Sequence, residues 1–334
     1  MLLKVLVIGT GSVGLRHIAN LVELGCRVYA FSYRGQSGVN RHLDAFPESV
    51  ELVDSIEDSV LSVFDAVVIA NSTHLHIECA LRCARLNKPF FIEKPLSHNM
   101  KGEDELRSLV QGNKCIVEAG YTMRCHPNLQ WIKVLLSEKY IGDIAYIRCA
   151  VGQWLPDWRP DSDYRKSYSA KRDSGGGVIF DLIHELDLIQ WLGGAVSEIN
   201  AIVAHWENLD IETEAIAQIG IRTSNNILGQ IHLDYVHPTY HRDFEIVGAK
   251  GAIYWDYTKN EACCIMRNSD EDCQNTLPET FKRNDMFLSH MHHFLMRVQN
   301  HAIPPISSLE DSIHALKVAL AAHDAASSGC TQLL

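Results

Sequence analysis

A glycine-rich segment near the start of the chain has the spacing of a phosphate-binding loop. Residues 9 to 14 read Gly-Thr-Gly-Ser-Val-Gly, after the apolar run KVLVI and before the helical pattern VGLRHIANLVEL. In G-x-G-x-x-G the first glycine permits a tight turn, the second lets the backbone approach a pyrophosphate, and the third lets helix and strand pack closely. The helix N-terminus supplies N–H groups and a positive dipole end to that anion. We therefore predict a dinucleotide site that includes Gly9, Gly11, Ser12, Val13 and Gly14.

The residues after the second predicted strand bear on which dinucleotide is bound. An NAD site usually has a carboxylate there to hold the ribose 2′-hydroxyl, but this chain has Ser32, Tyr33 and Arg34. Ser32 can bond a 2′-phosphate and Arg34 can pair with it. This favours NADP as the cofactor, with NAD as the alternative. The alternative for Arg34 is a solvated loop residue.

A charged pair stands at the end of another apolar run. Residues 89 to 92 read Pro-Phe-Phe-Ile, and Glu93, Lys94 and Pro95 follow directly. An unbroken apolar run predicts a strand buried on both faces, where a lysine ammonium would be costly to hide. Because open α/β sheets bind ligands beyond the carboxyl ends of their strands, Lys94 is a candidate functional group. The alternative is that it only marks the return of the chain to solvent.

The elements that must position these residues follow from an alternation of patterns between residues 2 and 119. Strand-like runs such as LLKVLVIG, CRVYAFS, DAVVIA and KPFFIE alternate with helical patterns such as THLHIECALRCARL and MKGEDELRSLV. This alternation predicts βα units in a parallel sheet. We therefore expect an α/β fold class, with a Rossmann dinucleotide-binding domain over residues 1–123.

A different pattern begins at about residue 124. One helical pattern is followed by β-rich runs with short connections, among them IAYIRCAVGQW, TEAIAQIGI, ILGQIHLDYV and GAIYWDY. They predict an α+β domain over residues 124–334 with a large, mostly antiparallel open sheet, for substrate binding and oligomerisation. The C-terminal helix, about residues 308 to 326, is free in this interpretation to pack back on the first domain. The polar segment 157 to 177 is long enough to be a functional loop.

Composition and charge limit the classes of function. The formal net charge is -11 and basic residues form no block, so the sequence does not favour nucleic acid as a partner. No run approaches eighteen apolar residues and the N-terminus lacks the features of a signal peptide, so we expect a cytoplasmic protein that does not bind membranes. The ten cysteines are scattered without a Cys-x-x-Cys pair, which predicts reduced core residues.

Several motifs together resemble the Gfo/Idh/MocA oxidoreductases, a family named for glucose-fructose oxidoreductase and inositol dehydrogenase. They follow the family's order across nearly the whole chain. They are the glycine loop, Asn71-Ser72 with His76, Glu93-Lys94-Pro95, Tyr121-Thr122-Met123-Arg124, GGGVIFDLIHELDLIQWL and VGAKGAIYWD. The resemblance implies that the cofactor site also includes Asn71, Ser72, His76, Glu93 and Lys94.

The resemblance further implies a catalytic or substrate-orienting role for Lys94 beside the nicotinamide ring. Partial desolvation and the positive charge of an oxidised nicotinamide would both lower the pKa of a lysine there. An amine tuned in this way can exchange protons with a sugar hydroxyl. Pro95 would fix the backbone where the strand stops, and Glu93 would hold either the lysine or the ribose of the cofactor.

A second set of catalytic residues is implied in the segment DLIHELD. Residues three apart share one face of a helix, so a single helix would align Asp181, His184 and Asp187. A carboxylate beside an imidazole orients it and raises its basicity. The chain has two residues between Asp181 and His184 where the family most often has three, so either Asp181 or Asp187 is the partner of His184. For Asp181 a purely structural role is an equal alternative.

Other residues are candidates for the substrate pocket by the same resemblance. Trp158 and Tyr164 would stack on a sugar ring, and Arg124, Arg159 and Arg165 would meet carboxylate or phosphate groups. For Arg159 and Arg165 a solvated loop is the equal alternative. Ordinary sheet positions are the default for two further histidines, His237 and His241.

A further group of histidines, near residue 290, could in principle bind a metal. His290 and His293 are three apart in a helical pattern, but His292 would point elsewhere and no third ligand is evident. We predict no metal and a helix packed at the domain junction.

These observations lead to one main functional hypothesis. We expect an oxidoreductase that moves a hydride between NADP, or NAD, and a hydroxyl or carbonyl carbon of a sugar, cyclitol or nucleotide-linked sugar. The run from Gln153 to Ala170 is similar to family members of surface-polysaccharide and nonulosonate pathways, which would make the substrate anionic. The alternatives are an NAD-retaining glycosidase of the same family and a non-catalytic sensor of NADPH or sugar. We also expect a homodimer or homotetramer.

Overall fold

The computed structural model describes residues 2–33, 50–160, 162–268 and 271–334. The helices, in chain order, are α1 (Ser12–Glu23), α2 (Asp58–Leu61), α3 (His76–Arg85), α4 (Glu103–Asn113), α5 (Pro127–Ser137), α6 (Val178–Asp181), α7 (His184–Gly193), α8 (Arg283–Gln299) and α9 (Leu309–Ser328). The strands are β1 (Lys4–Ile8), β2 (Arg27–Phe31), β3 (Val50–Leu52), β4 (Ala66–Ile69), β5 (Phe90–Ile92), β6 (Val117–Ala119), β7 (Ile144–Gly152), β8 (Val196–Ala204), β9 (Ile216–Thr223), β10 (Leu228–Asp234), β11 (His241–Gly248), β12 (Gly251–Asp256), β13 (Glu261–Met266), β14 (Cys273–Thr276) and β15 (Gln332–Leu333).

The chain divides into two compact units. The first comprises Met1–Cys125 and Lys282–Ile313, and the second comprises His126–Phe281 and His314–Leu334. The sequence predicted one boundary near residue 123, whereas the structure returns the chain to the first unit for the whole of α8. Met291, Phe294 and Leu295 of that helix join the apolar core around β1 and α1, and this burial is the physical reason for the difference.

The first unit contains a parallel sheet of six strands in the order β3-β2-β1-β4-β5-β6. This is the doubly wound order of the dinucleotide-binding fold, and the sequence-based prediction of a Rossmann domain is confirmed. The two central strands explain the apolar runs, because Val5 to Ile8 of β1 and all of β4 are buried. Strand β5 is equally buried and ends at Ile92, directly before Glu93.

The second unit contains a nine-stranded sheet in the order β14-β13-β12-β11-β7-β10-β9-β8-β15. Among the described strands of this sheet only β7 and β10 pair in parallel, and the other neighbours are antiparallel. The prediction of a mostly antiparallel sheet is therefore confirmed. Burial alternates along β11, where every second residue from Arg242 to Gly248 is buried. Helix α7 packs on β7 and β10. Within the described ranges, no helix has the length and apolar character needed to cross a membrane.

Candidate active site

The glycine loop lies where β1 ends and α1 begins. Gly9 has a φ of 110°, and a Cβ atom there would lie 2.5 Å from the carbonyl oxygen of Ala70. A Cβ on Gly14 would overlap the carbonyl oxygen of Gly9, whereas one on Gly11 would have no atom within 4 Å. The N-terminus of α1 has no side-chain cap and no acidic residue in its first turn. These features fit a pyrophosphate at the helix N-terminus, because backbone N–H groups and the helix dipole favour an anion there.

The end of β2 is described only in part. The backbone N–H of Gly9 donates to the carbonyl of Phe31 at 2.9 Å, which joins the glycine loop to this strand. Tyr33 is half exposed, and its hydroxyl lies 3.4 Å from Sγ of Cys79. Burial and that contact raise the pKa of Tyr33. Ser32 lies between Phe31 and Tyr33 in the chain, and Arg34 lies outside the described residues.

The residues after β4 are held by a buried histidine. Asn71 and Ser72 precede the turn that leads into α3, whose first residue is His76. The imidazole of His76 is 1% exposed, with Nδ1 2.8 Å from the carbonyl oxygen of Pro95 and Nε2 3.1 Å from that of Asn71. Its side chain therefore orders the two backbone segments. A part for Asn71, Ser72 and His76 in cofactor binding stays a prediction.

A buried carboxylate lies at the end of β5. Oε1 of Glu93 is 2.7 Å from Nε2 of His17 in α1, and Oε2 accepts the backbone N–H of Lys94 at 3.2 Å. Burial by itself would raise the pKa of Glu93, but the hydrogen bond and charge of His17 and the charge of Lys94 outweigh it, so the pKa lies below its ordinary value. Lys94 is half-buried beside this anion. Sequence reasoning missed His17, because 76 residues separate it from Glu93.

Arg124 is buried and bonded within its own unit. It is 4% exposed, with one nitrogen donating to the carbonyl of Ile306 at 3.0 Å and another 3.1 Å from Oδ1 of Asp311. The structure therefore gives the guanidinium partners within its own unit, and contact of Arg124 with substrate stays a prediction.

The histidine group of α8 surrounds a buried carboxylate. Glu118 of β6 lies 3.2 Å from His290, 3.6 Å from His293 and 2.9 Å from Arg297. Burial would raise the pKa of Glu118, but the bonds from these histidines lower it to about 2. The spacing of His290 and His293 is thus accounted for by a shared carboxylate partner within the first unit.

The segment around Asp181 and His184 differs from the single helix that the sequence predicted. Helix α6 ends at Asp181, Leu182 has a non-helical ψ of 28°, and α7 begins at His184. Helical spacing therefore does not align Asp181 with His184, and it aligns only His184 with Asp187 within α7. Asp181 and Asp187 are buried and His184 is half-buried. Which carboxylate is the partner of His184 stays a prediction.

A buried tyrosine of the second unit bonds Asp181 and packs against Trp158. The buried hydroxyl of Tyr235 donates to Oδ2 of Asp181 at 2.6 Å. Trp158 packs edge-on against Tyr235, with ring centroids 5.4 Å apart. The sequence analysis named Trp158 as a candidate and missed Tyr235, which directly follows β10. Tyr164 lies in a separate turn, and stacking of Trp158 or Tyr164 on a sugar stays a prediction.

Two arginines of the segment 157 to 177 contact other residues of the same segment. The guanidinium of Arg165 bonds Asp163 at 2.8 Å, and that of Arg159 lies 5.4 Å from the centroid of Tyr168. Both contacts are local to the loop and fit the solvated-loop alternative for these two residues.

Two buried carboxylates hold α6 and α7 in place. Glu185 of α7 makes a two-bond ion pair with Arg242 of β11, at 2.6 and 2.9 Å. Oε1 of Glu214 accepts the backbone N–H of Ile179 in α6 at 3.2 Å. Burial raises the pKa of Glu214 to about 7, against the effect of that bond. Sequence reasoning identified neither carboxylate, because each acts on a partner distant in the chain.

His237 and His241 stack on each other, with ring centroids 5.2 Å apart. Nε2 of His241 lies 2.6 Å from Oδ2 of Asp243 on the same strand. His241 is the first residue of β11, as the default interpretation has it, whereas His237 lies in the connection between β10 and β11, so the default is wrong for His237.

Two family models match most of the chain. Residues 3–121 match the model described as "Oxidoreductase family, NAD-binding Rossmann fold". Residues 129–254 match the model of the GFO/IDH/MocA C-terminal domain.

Similar proteins cover nearly the full length. Myo-inositol 2-dehydrogenase of Thermotoga maritima is 25% identical over 96% of this chain and 95% of its own. Scyllo-inositol 2-dehydrogenase (NAD(+)) of Bacillus subtilis is 24% identical over 95% of this chain and 92% of its own. The solved structure of levoglucosan dehydrogenase with NADH and levoglucosan has a TM-score of 0.88 at 19% identity, over 100% of this chain and 99% of that one. At this identity the structural likeness shows the fold.

Proposed function

Because this chain belongs to the Gfo/Idh/MocA family of oxidoreductases, we propose that it transfers a hydride between a nicotinamide cofactor and a CH–OH or C=O carbon of a sugar or cyclitol. The observation that carries the proposal is the position of Lys94 at the end of β5, where its backbone N–H bonds the buried carboxylate of Glu93, whose pKa lies below its ordinary value. That strand end belongs to the same parallel sheet, and faces the same edge, as the glycine loop after β1. The relatives named for inositol and levoglucosan support the substrate class.

In this proposal different residues of the chain bind the cofactor and transfer the proton. When bound, the nicotinamide accepts or supplies the hydride. The backbone of the glycine loop and the N-terminus of α1 hold the pyrophosphate. Lys94 takes a proton from the substrate hydroxyl during oxidation and returns it during reduction. His184 is the second acid–base group of the proposal, with Asp181 or Asp187 as its orienting carboxylate.

We propose NADP as the preferred cofactor. The support is the sequence Ser32-Tyr33-Arg34, which lacks the carboxylate that holds an NAD ribose. NAD is the alternative, since the matching family model describes an NAD-binding fold.

Three finer parts of the proposal concern substrate, domains and assembly. The substrate we propose is an anionic or nucleotide-linked sugar, on the strength of the segment 153–170. Residues 1–123 would bind the cofactor and residues 124–334 the substrate, except that Lys282–Ile313 belong to the first unit. A homo-oligomer would form through the large sheet, on which Ile202 is 76% and Ile265 50% exposed.

The first experiment measures cofactor binding before any turnover. The purified protein is titrated with NADPH and with NADH, following nicotinamide fluorescence, in the wild type and in Arg34→Ala and Lys94→Ala. We expect tighter binding of NADPH, loss of that preference in Arg34→Ala and normal binding by Lys94→Ala. If neither cofactor binds, the proposed function fails. If NADH binds tighter, only the cofactor preference fails.

A screen of sugars and cyclitols for net reduction or oxidation of free cofactor follows. Lys94→Ala should lose turnover by about 100-fold or more while keeping cofactor affinity, since positioned acid–base groups contribute on the order of 10²–10⁴. Hydrolysis of a glycoside without net cofactor turnover would instead indicate the glycosidase alternative. Cofactor binding without any chemistry would indicate a sensor.

A further inference from the structure

A buried histidine lies behind the Glu93–Lys94 pair and has no part in the chemistry proposed above. His17 is on the inner face of α1, three residues after Gly14, and is 1% exposed. Its Nε2 lies 2.7 Å from Oε1 of Glu93. The ring of Phe91 packs edge-on against the imidazole, with centroids 5.1 Å apart. Packing and the hydrogen bond therefore hold the imidazole toward the end of β5.

The carboxylate of Glu93 connects this histidine to Lys94. Its second oxygen accepts the backbone N–H of Lys94 at 3.2 Å. On the other side it lies against Gly120, where a Cβ atom would come within 2.9 Å of Oε2. The carboxylate is thus confined between α1 and the residue that follows β6. Burial raises the pKa of this carboxyl group, but the charge of Lys94 is among the causes that lower it, so the amine and the carboxylate interact electrostatically.

We propose that His17 is a positioning residue for Lys94, which it serves by donating from Nε2 to Glu93 and so fixing a carboxylate beside the amine. The proposal rests on the proposed function in one respect, the acid–base role of Lys94. Among the described residues, His17 from α1 bonds Glu93, and His76 from α3 bonds the carbonyl of Pro95. Substitutions at His17 leave both partners of the His76–Pro95 bond in place.

The test measures the reactivity of Lys94 directly. The full-length protein is acetylated with trace acetic anhydride at a series of pH values, and the labelled fraction of Lys94 is read by peptide mass spectrometry. Lys139, whose side chain is 75% exposed, is the internal reference. The variants are His17→Leu, which removes the donor, His17→Gln, whose amide nitrogen replaces it, and Glu93→Gln, which removes the negative charge.

A matched control comes from the same helix. Asn20 is also 1% exposed on α1 and makes one side-chain bond to α8, in which its Oδ1 accepts from Asn284 at 2.8 Å. Asn20→Leu therefore disturbs the buried face of α1 without touching Glu93. Circular dichroism and thermal melting show which variants are folded. If His17→Leu does not fold, His17→Asn takes its place, since the shorter amide does not reach Glu93.

We expect the pH of half-labelling of Lys94 to fall by about one pH unit in His17→Leu and in Glu93→Gln, because a nearby carboxylate stabilises an ammonium group. Glu93→Gln removes that carboxylate, and His17→Leu no longer fixes it in place. His17→Gln and Asn20→Leu should keep the wild-type value. An unchanged value in folded His17→Leu overturns the proposal. A rise also overturns it, because His17 would then act on Lys94 as a charge and not through Glu93.

The labelling experiment needs neither cofactor nor substrate, so its failure is distinct from failure of the proposed function. If labelling shifts as expected and no sugar is turned over, the positioning role stands and the dehydrogenase proposal fails. Where turnover is found, the limb of the kcat profile that Lys94 controls should move in the same direction as its labelling, with the KM for cofactor unchanged.

Discussion

Replacing Arg242 with methionine should destabilise the second unit by about 3–5 kcal/mol, because it leaves Glu185 buried without its partner. The two side chains are 6% and 0% exposed and share bonds of 2.6 and 2.9 Å, so neither charge has water as a substitute. Removing both charges, in Arg242→Met with Glu185→Leu, should cost much less, since the desolvation penalty disappears together with the attraction. At about 1.4 kcal/mol per factor of ten, the single substitution shifts the unfolding equilibrium by at least 100-fold.

Urea unfolding followed by circular dichroism measures these changes. The matched control is Arg27→Met, which breaks the ion pair of Arg27 with Glu51, whose side chains are 53% and 55% exposed. Such an exposed pair contributes at most about 1 kcal/mol. If Arg242→Met and Arg27→Met shift the midpoint equally, or if the double substitution is as damaging as the single one, our account of the buried pair is wrong.

Three further outcomes are expected. Gly14→Ala should abolish detectable dinucleotide binding in a fluorescence titration, because its Cβ would overlap the carbonyl of Gly9; normal binding would contradict the fit of the glycine loop. The pKa of Glu214 is about 7 in the fold against 4.5 ordinarily, so the fold favours its protonated form. The stability that Glu214 contributes to the wild type therefore falls as pH rises from about 4.5 to about 7. In Glu214→Gln, melting temperatures over that range should lose this slope, and a retained slope would refute the assignment. Tyr235→Phe removes the 2.6 Å bond to Asp181 and should lower kcat/KM about tenfold in steady-state assays, with unchanged cofactor binding; unchanged turnover would remove Asp181 from the chemistry.

The segment from Asp181 to Asp187 was only partly predictable from the sequence. The sequence predicted one helix for these residues, and His184 and Asp187 do share one helix. It did not show the break at Leu182, because no proline or glycine interrupts the pattern there. The break coincides with tertiary bonds on both sides, from Glu214 to α6 and from Arg242 to α7.

The sequence alone determined the parallel sheet, the mostly antiparallel second sheet and the position of the glycine loop, because periodic burial and glycine spacing act over a few neighbouring residues. It also predicted a role for Lys94, from its place at the end of a buried strand together with the family resemblance, and that role stays a prediction. Only the tertiary structure decided which partners surround these residues. The pairs His17–Glu93, Glu185–Arg242 and His290–Glu118 join elements far apart in the chain. A buried charge needs a partner, but the sequence does not say which one, because that depends on how the elements pack.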